Sequence, residues 1–289
     1  MNRNILFILL SLFLVSSCHL ESGRIETQTF TDDYGRTVVI PTEPKRIVSL
    51  SPAVTEIVCA LGGSQLLVGR TDFCAYPETV LDLPSVGGIT NLNVEQVVGM
   101  NPDVVIGGSM LPQKSVLQLE KMNVAVVCVP EKEHFDDLYS NIEKIGKIIG
   151  REKSADSLNA LLRAQVNALD TTHASHRPTA YYVVGYGAAG NYTAGGNTYI
   201  NDIISLAGGR NIAEDVQGWN YSMEALMHED PDYLIIRAAD SAAFVKTAPY
   251  TQLTAVRQGR VIAIESGCID LQVPRNIQAV VLLNRFFAQ

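Results

Sequence analysis

Basic runs, a cysteine framework, histidine clusters and long apolar segments beyond the N-terminus are all missing from this 289-residue chain. Lys and Arg number 22 against 30 Asp and Glu, a formal charge of −8, and no basic stretch interrupts that balance, so the electrostatic footprint of a nucleic-acid binder is lacking. Five cysteines are too few and too scattered for a disulfide scaffold, and neither a Cys-x-x-Cys pair nor a grouping of the five histidines offers zinc spacing. Cys59 and Cys128 stand in apolar segments, where cysteine acts as a small buried hydrophobe. Past the first residues nothing approaches the ~18 uninterrupted apolar residues of a transmembrane helix. No Gly-x-Ser-x-Gly elbow occurs, since Gly107-Gly-Ser109 runs into Met110 and Leu111, and an esterase reading loses its nucleophile. Gly195-Gly-Asn197 and Gly208-Gly-Arg210 punctuate loops without forming a dinucleotide fingerprint.

What is present is a foldable chain. Apolar residues make up 47% and charged residues 18%, enough for real cores, and the length suggests two domains at ~150 residues each. Arg46–Leu50 reads as a short buried strand feeding a helix over Ala53–Leu61 that Gly62-Gly63 stops. Strands over Asp103–Gly107 and Val124–Val129, with a helix over Leu111–Met122 between them, continue the pattern. The second half repeats it with strands at Ala180–Val184, Tyr233–Arg237 and Arg260–Ile264 and helices at Tyr199–Ala207 and Val273–Phe287. Unalternating apolar strands between helices predict parallel sheets covered on both faces, in two α/β lobes over 29–133 and 173–289. Between them, 134–172 carries apolar residues at spacings of three and four, including Phe135, Leu138, Ile142, Leu158, Leu162 and Val166. That pattern predicts one long connecting helix, or two nearly collinear ones, of ~35 residues and ~50 Å.

An internal echo joins the halves. Asn93-Val-Glu-Gln-Val-Val-Gly-Met-Asn-Pro-Asp-Val-Val-Ile106 aligns without a gap on Ser222-Met-Glu-Ala-Leu-Met-His-Glu-Asp-Pro-Asp-Tyr-Leu-Ile235. Asn93 and Ser222 can cap a helix, and Glu95 and Glu224 sit in its first turn, where the helix dipole favours an anion. Ordinary first-turn roles would suffice for these glutamates, but related lobes would present them symmetrically to a two-fold partner carrying arginines or lysines. Aromatic residues near glycine-rich turns of the second half, Tyr186, Trp219 and Tyr221, could offer flat faces to a planar macrocycle, with Asn191, Tyr192 and Asn220 meeting its polar groups. Each could equally be core, except that Trp219, between Gly218 and Asn220 in a loop rather than on an apolar helix stripe, favours the cleft. Arg237 and Arg275 are candidates for a carboxylate-bearing ligand, or for plain solvation.

Residues 1–17 read as a signal peptide: Arg3, an apolar stretch from Ile5 to Val15, then Ser16 and Ser17 before Cys18. The Val-Ser-Ser-Cys ending resembles the bacterial lipoprotein signal, which implies lipidation of Cys18, a tether over 18–28, and an exported, periplasmic, membrane-anchored protein; ordinary secretion with a free Cys18 thiol is the alternative. Beyond the leader, Arg46-Ile-Val-Ser-Leu-Ser-Pro-Ala-Val-Thr-Glu-Ile57, Val68-Gly-Arg-Thr-Asp-Phe-Cys-Ala-Tyr-Pro77, Val86-Gly-Gly, Asn101-Pro-Asp-Val-Val105 and Gly208-Gly-Arg-Asn-Ile212 resemble the substrate-binding proteins of bacterial ABC importers for cobalamin, haem and ferric siderophores. The resemblance covers roughly residues 29–289. It implies the class III periplasmic binding protein fold, two Rossmann-like lobes joined by a rigid helix, and a non-catalytic protein without a cofactor or metal of its own. It further implies that Glu95 and Glu224 grip arginines of a homodimeric membrane permease with its ATPase subunits, the soluble part being a monomer. Vitamin B12-binding members are similar over Asp72-Phe73-Cys74-Ala75-Tyr76-Pro77, which implies that Phe73 lies against the corrin and makes Tyr76 of the same loop a further ligand-binding candidate. The tryptophan such members carry in the segment matching Val86-Gly-Gly-Ile89 has no counterpart. Cobalamin is the expected cargo, with haem or a ferric siderophore as alternatives; a hydrolytic enzyme or a structural lipoprotein is the reading from another class.

Overall fold

A computed structural model describes residues 26–169 and 177–289. The signal peptide and Cys18 lie outside the described residues. Thr27 and Gln28, expected in the tether, already belong to strand β1 (Thr27–Thr31), which pairs antiparallel with β2 (Thr37–Pro41).

The first lobe follows. Strand β3 (Ile47–Ser49) leads into helix α1 (Pro52–Ala60), with Ser51 as its N-cap and Pro52 in the first turn, where a missing N–H costs nothing. Strand β4 (Leu67–Arg70), α2 (Val94–Gly99), β5 (Val104–Gly107), α3 (Gln113–Lys121) and β6 (Val126–Cys128) complete it. Two helices come next, α4 (Asp137–Ile148) and α5 (Glu152–Asn167). The second lobe holds β7 (Thr179–Val183), α6 (Tyr199–Leu206), β8 (Arg210–Asn211), α7 (Met223–Glu229), β9 (Tyr233–Arg237), α8 (Ala238–Phe244), α9 (Thr254–Arg257), β10 (Val261–Ile264) and α10 (Asn276–Phe287).

Both sheets are parallel, in the orders β4-β3-β5-β6 and β8-β7-β9-β10. Numbered within each lobe, both orders are the same: second, first, third, fourth strand. The echo acquires a structural meaning here. Asn93 accepts from the Gln96 amide at 3.0 Å and Ser222 from the Ala225 amide at 3.0 Å, so both cap as expected. Asn101 and Asp230 occupy equivalent places and both adopt positive φ, 46° and 36°. Each following Pro-Asp turn ties the third strand of its lobe to the first: Asp103 Oδ2 accepts from the Lys45 and Arg46 amides at 2.6 and 2.9 Å, and Asp232 Oδ2 from the Thr179 amide at 2.9 Å.

The connection differs from the expected single or collinear helix. Gly150, at φ +66°, closes α4 in the left-handed conformation that a residue without Cβ adopts at no steric cost, and α5 folds back along α4. Asn159 donates to the Tyr139 carbonyl at 3.0 Å, Arg163 lies 3.8 Å over the Tyr139 ring, and a Cβ on Gly146 would stand 2.6 Å from that of Ala155. The apolar periodicity was shared between two helices facing each other. α4 packs on α1 of the first lobe and α5 on α10 of the second. One apolar core runs from Ile47 and Val104 through Ile142 and Leu162 to Tyr182, Ile264 and Phe287, so the lobes share buried surface with the connecting pair. Among the described residues no helix is long and apolar enough to cross a membrane.

Candidate functional site

In open parallel α/β sheets the loops beyond the strand carboxyl ends form the binding crevice. Here those loops of both lobes face a cavity of about 550 Å³. The first lobe contributes Leu50, Ser51 and Pro52 after β3, Gly108 to Met110 after β5, Glu131 after β6, and Phe73, Ile89 and Thr90 from the loops around β4. The second contributes Tyr199 at the start of α6, Trp219, and Asp270 to Gln272 after β10.

Of the ten ligand-contact residues expected from sequence, Phe73 and Trp219 line this cavity, 63% and 45% exposed. Phe73 rides on a tight turn, with the Cys74 amide donating to the Thr71 carbonyl at 3.1 Å and the Asp72 amide to the Gly87 carbonyl at 3.0 Å. Trp219 is carried on an extended arm: the Thr193 amide donates to its carbonyl at 2.9 Å, and Gly218, at φ +84°, turns the chain into it. Ile89 occupies the segment in which a tryptophan was missing, so an aliphatic side chain stands on the wall there.

The other eight lie elsewhere, for identifiable reasons; Asn220 forms an antiparallel bridge with Tyr192. Tyr186 packs edge-on against Phe244 and Tyr250, and Tyr221 lies against Tyr181 while donating to the Ile212 carbonyl at 3.3 Å; both cover the core of the second lobe. Asn191 braces its loop, donating to the Tyr221 carbonyl at 3.0 Å and accepting from the Tyr250 hydroxyl at 3.3 Å. Tyr192 lies over Gly185 and Gly190, where added Cβ atoms would meet its ring at 3.0 and 2.8 Å. Arg237 is held by Asp240 at 2.9 Å and by the Val184 carbonyl at 2.9 Å. Arg275 makes a two-pronged bridge to Glu56, Nε to Oε2 at 2.8 Å and Nη2 to Oε1 at 2.6 Å, and stacks 3.7 Å over the Tyr76 ring. This bridge joins the lobes. Burial raises the Glu56 carboxyl above its ordinary range despite the opposing pull of Arg275, and Glu56 in turn holds Arg275 more firmly protonated.

Sequence reasoning missed the polar part of the wall. Glu131 accepts from the Ser109 amide at 3.1 Å, from Ser109 Oγ at 2.5 Å and from Ser51 Oγ at 3.3 Å. Gly108 permits this gathering of three strand ends, since a Cβ there would lie 2.8 Å from Ser51 Oγ and 3.3 Å from Glu131 Oε1. Asp270 accepts from the Tyr182 hydroxyl and from Ser266 Oγ, the latter at 2.6 Å. Gln272 crosses between lobes, donating to the His134 carbonyl at 2.7 Å and accepting from the Lys132 amide at 3.2 Å. No Arg, Lys or His lines the cavity, and no cluster of three or more metal-ligating side chains occurs among the described residues. Glu95 and Glu224 are exposed at the starts of α2 and α7 and take part in no ion pair among the described residues.

Comparison with known proteins places this architecture. The family model described as "Periplasmic binding protein" matches residues 47–267. The chain is 30% identical over 260 residues to the ABC transporter substrate-binding lipoprotein YvrC of Bacillus subtilis, covering 87% of this chain and 82% of that one. It is 29% identical over 277 residues to a cobalamin-binding protein of Halobacterium salinarum, covering 90% of this chain and 73% of the relative. Among solved structures, the apo periplasmic heme-binding protein RhuT from Roseiflexus sp. RS-1 superimposes with a TM-score of 0.76 at 26% identity, covering 84% of this chain and 97% of that one. The chain belongs to the periplasmic binding protein family, as a non-catalytic solute-binding protein.

Proposed function

We propose that this protein is the substrate-binding component of an ABC importer and that its cleft captures a corrinoid, cobalamin first among them, for delivery to a membrane permease. The observation that carries the ligand reading is the composition of the wall: Phe73 from one lobe and Trp219 from the other expose aromatic surface to the cavity, among neutral polar and acidic groups without a cation. A corrin ring offers a broad flat face and a rim of carboxamides, which such a wall can stack and hydrogen-bond. Haem and many ferric siderophores carry carboxylates or net negative charge and call for arginines, and the two candidates, Arg237 and Arg275, are engaged by Asp240 and Glu56. The likeness to a cobalamin-binding protein favours the same choice.

Delivery is proposed to use Glu95 and Glu224. Their equivalent places on the duplicated lobes suit a two-fold permease that offers one arginine to each. Export and anchoring through a lipidated Cys18 complete the proposal.

Calorimetric titration of the purified protein with cyanocobalamin tests it, repeated on Trp219→Ala. Saturable one-to-one binding is expected, weakened ten- to a hundredfold in the variant, the equivalent of ~1.5–3 kcal/mol for one buried aromatic face. Absence of heat and of ligand-induced stabilisation would overturn the corrinoid reading and turn the search to haem and ferric siderophores.

A further inference from the structure

We infer that Glu131 and Asp270, one carboxylate from each lobe on the cleft wall, sort ligands by the charge on their rim, admitting macrocycles that carry carboxamides and turning away those that carry carboxylates. The inference rests on the macrocycle reading above and deepens it to a rule about substituents.

Both side chains line the cavity, and every donor that holds them is neutral. Neither has an ion-pair partner among the described residues. Lys132, next in sequence to Glu131, is held by Asp33 at 2.8 Å, and Arg237, whose charge Asp270 feels, is held by Asp240 at 2.9 Å; neither lines the cavity. Both carboxylates act on the same phenol, Tyr199, which burial, then Asp270, then Glu131 push well above its ordinary range. Two negative groups from opposite lobes therefore converge on one region of the cleft.

A carboxylate is acceptor-only, and Glu131 Oε1 receives a single long bond of 3.3 Å, so it retains lone pairs for an incoming N–H. A ligand carboxamide supplies that N–H. A ligand carboxylate supplies only like charge in a half-enclosed space, where screening is weaker than in bulk water. The aromatic faces fix the plane of the ring and are indifferent to its substituents, so discrimination falls to these two groups.

The test compares ligands that differ only at the rim: cyanocobalamin against its monocarboxylic acids, in which one side-chain amide is hydrolysed, and haem against its bis-propionamide, titrated into the full chain. The wild type is expected to bind the amide member of a pair at least tenfold more tightly, and Glu131→Gln and Asp270→Asn each to shrink that ratio several-fold while still binding the amide. Equal affinities within a pair, tighter binding of the acid, or a ratio that neither variant changes would overturn the inference; the wild-type ratio decides even where a variant fails to fold. Should the cobalamin pair not bind while the haem pair does, with the bis-propionamide ahead, the corrinoid reading fails and the sorting rule stands. Binding of neither pair overturns both.

Discussion

Arg275→Met tests how the two lobes are fastened. The substitution keeps most of the stem and removes the guanidinium that bridges to Glu56 at 2.8 and 2.6 Å, in a pair whose side chains are 16% and 4% exposed. Breaking one side of a buried pair leaves the other charge uncompensated, at a cost of ~3–5 kcal/mol. Stacking on the half-exposed Tyr76 ring adds ~0.5–1 kcal/mol. Water reaches part of the guanidinium, so the total should fall at the lower end, at about 3 kcal/mol. The double variant Glu56→Gln/Arg275→Met removes the stranded charge and should recover to within ~1–2 kcal/mol of the wild type. The pH dependence has a definite sign. Burial holds the Glu56 carboxyl above its unfolded value of 4.5, so its favourable contribution is complete below that pH and is lost as pH rises through the folded value. Without Arg275 the folded value climbs further, and the penalty of Arg275→Met should be larger at pH 8 than at pH 5. Urea unfolding followed by far-ultraviolet circular dichroism reads these differences, and the apolar core shared by both lobes predicts a single transition. A cost under ~1 kcal/mol at pH 8, a larger cost at pH 5 than at pH 8, or a double variant weaker than the single one would contradict a fastening role for the Glu56–Arg275 bridge.

Other expectations follow from the same geometry. Glu95→Arg and Glu224→Arg should each cost no more than ~1–2 kcal/mol, since each puts a cation where the helix dipole favours an anion, and should leave ligand affinity unchanged while uptake through the cognate importer falls; a loss of ligand affinity would assign them to the cleft instead. Asp103→Ala and Asp232→Ala should each cost ~1–3 kcal/mol in thermal or urea unfolding, since each leaves strand-start amides without their acceptor, and a silent substitution at either would break the equivalence of the two turns. The Cys128 thiol, pushed up to about 11 chiefly by burial, should resist iodoacetamide at pH 8 in the native protein and react readily in urea; rapid native alkylation would contradict its burial.

Strands with unbroken apolar runs were legible in the sequence because burial on both faces writes itself as composition; β5, β6, β9 and β10 fall within the expected segments, and β7 begins one residue before its own. Strand β4 escaped because only Leu67 and Gly69 of its four residues are buried, and β8 because two residues carry no period. The turn at Gly150 was visible as a glycine, but periodicity does not distinguish helices continuing in line from helices folded face to face. Within the site, Trp219 stood out as a ring bracketed by turn residues and Phe73 only through the resemblance to vitamin B12-binding proteins, whereas Tyr186 and Tyr221 sit beside similar turns and still face inward. Glu131 and Asp270 gave no signal. Lone carboxylates 139 positions apart have no spacing to read, and only the convergence of strand ends from two sheets brings them to one cavity.

The internal repeat suits the proposed division between recognition and docking. Carried backward three residues, the echo sets Trp219-Asn220-Tyr221-Ser222 against Thr90-Asn91-Leu92-Asn93. Antiparallel bridges hold both segments, Gly87 to Leu92 in the first lobe and Tyr192 to Asn220 in the second. Thr90 and Trp219 are thus the same position seen twice, and both line the cavity. One lobe fills it with an indole and the other with a hydroxyl and a methyl, whereas two positions further on from the capping pair both lobes place a glutamate. A symmetric outer face and an asymmetric inner one serve different demands: a two-fold permease needs matching charges on the two lobes, while a ligand whose faces differ needs unlike walls. With recognition in the cavity as proposed, selection on cargo can act on Thr90, Trp219, Glu131 and Asp270 without disturbing the repeated caps, glutamates and Pro-Asp turns on which the proposed docking depends.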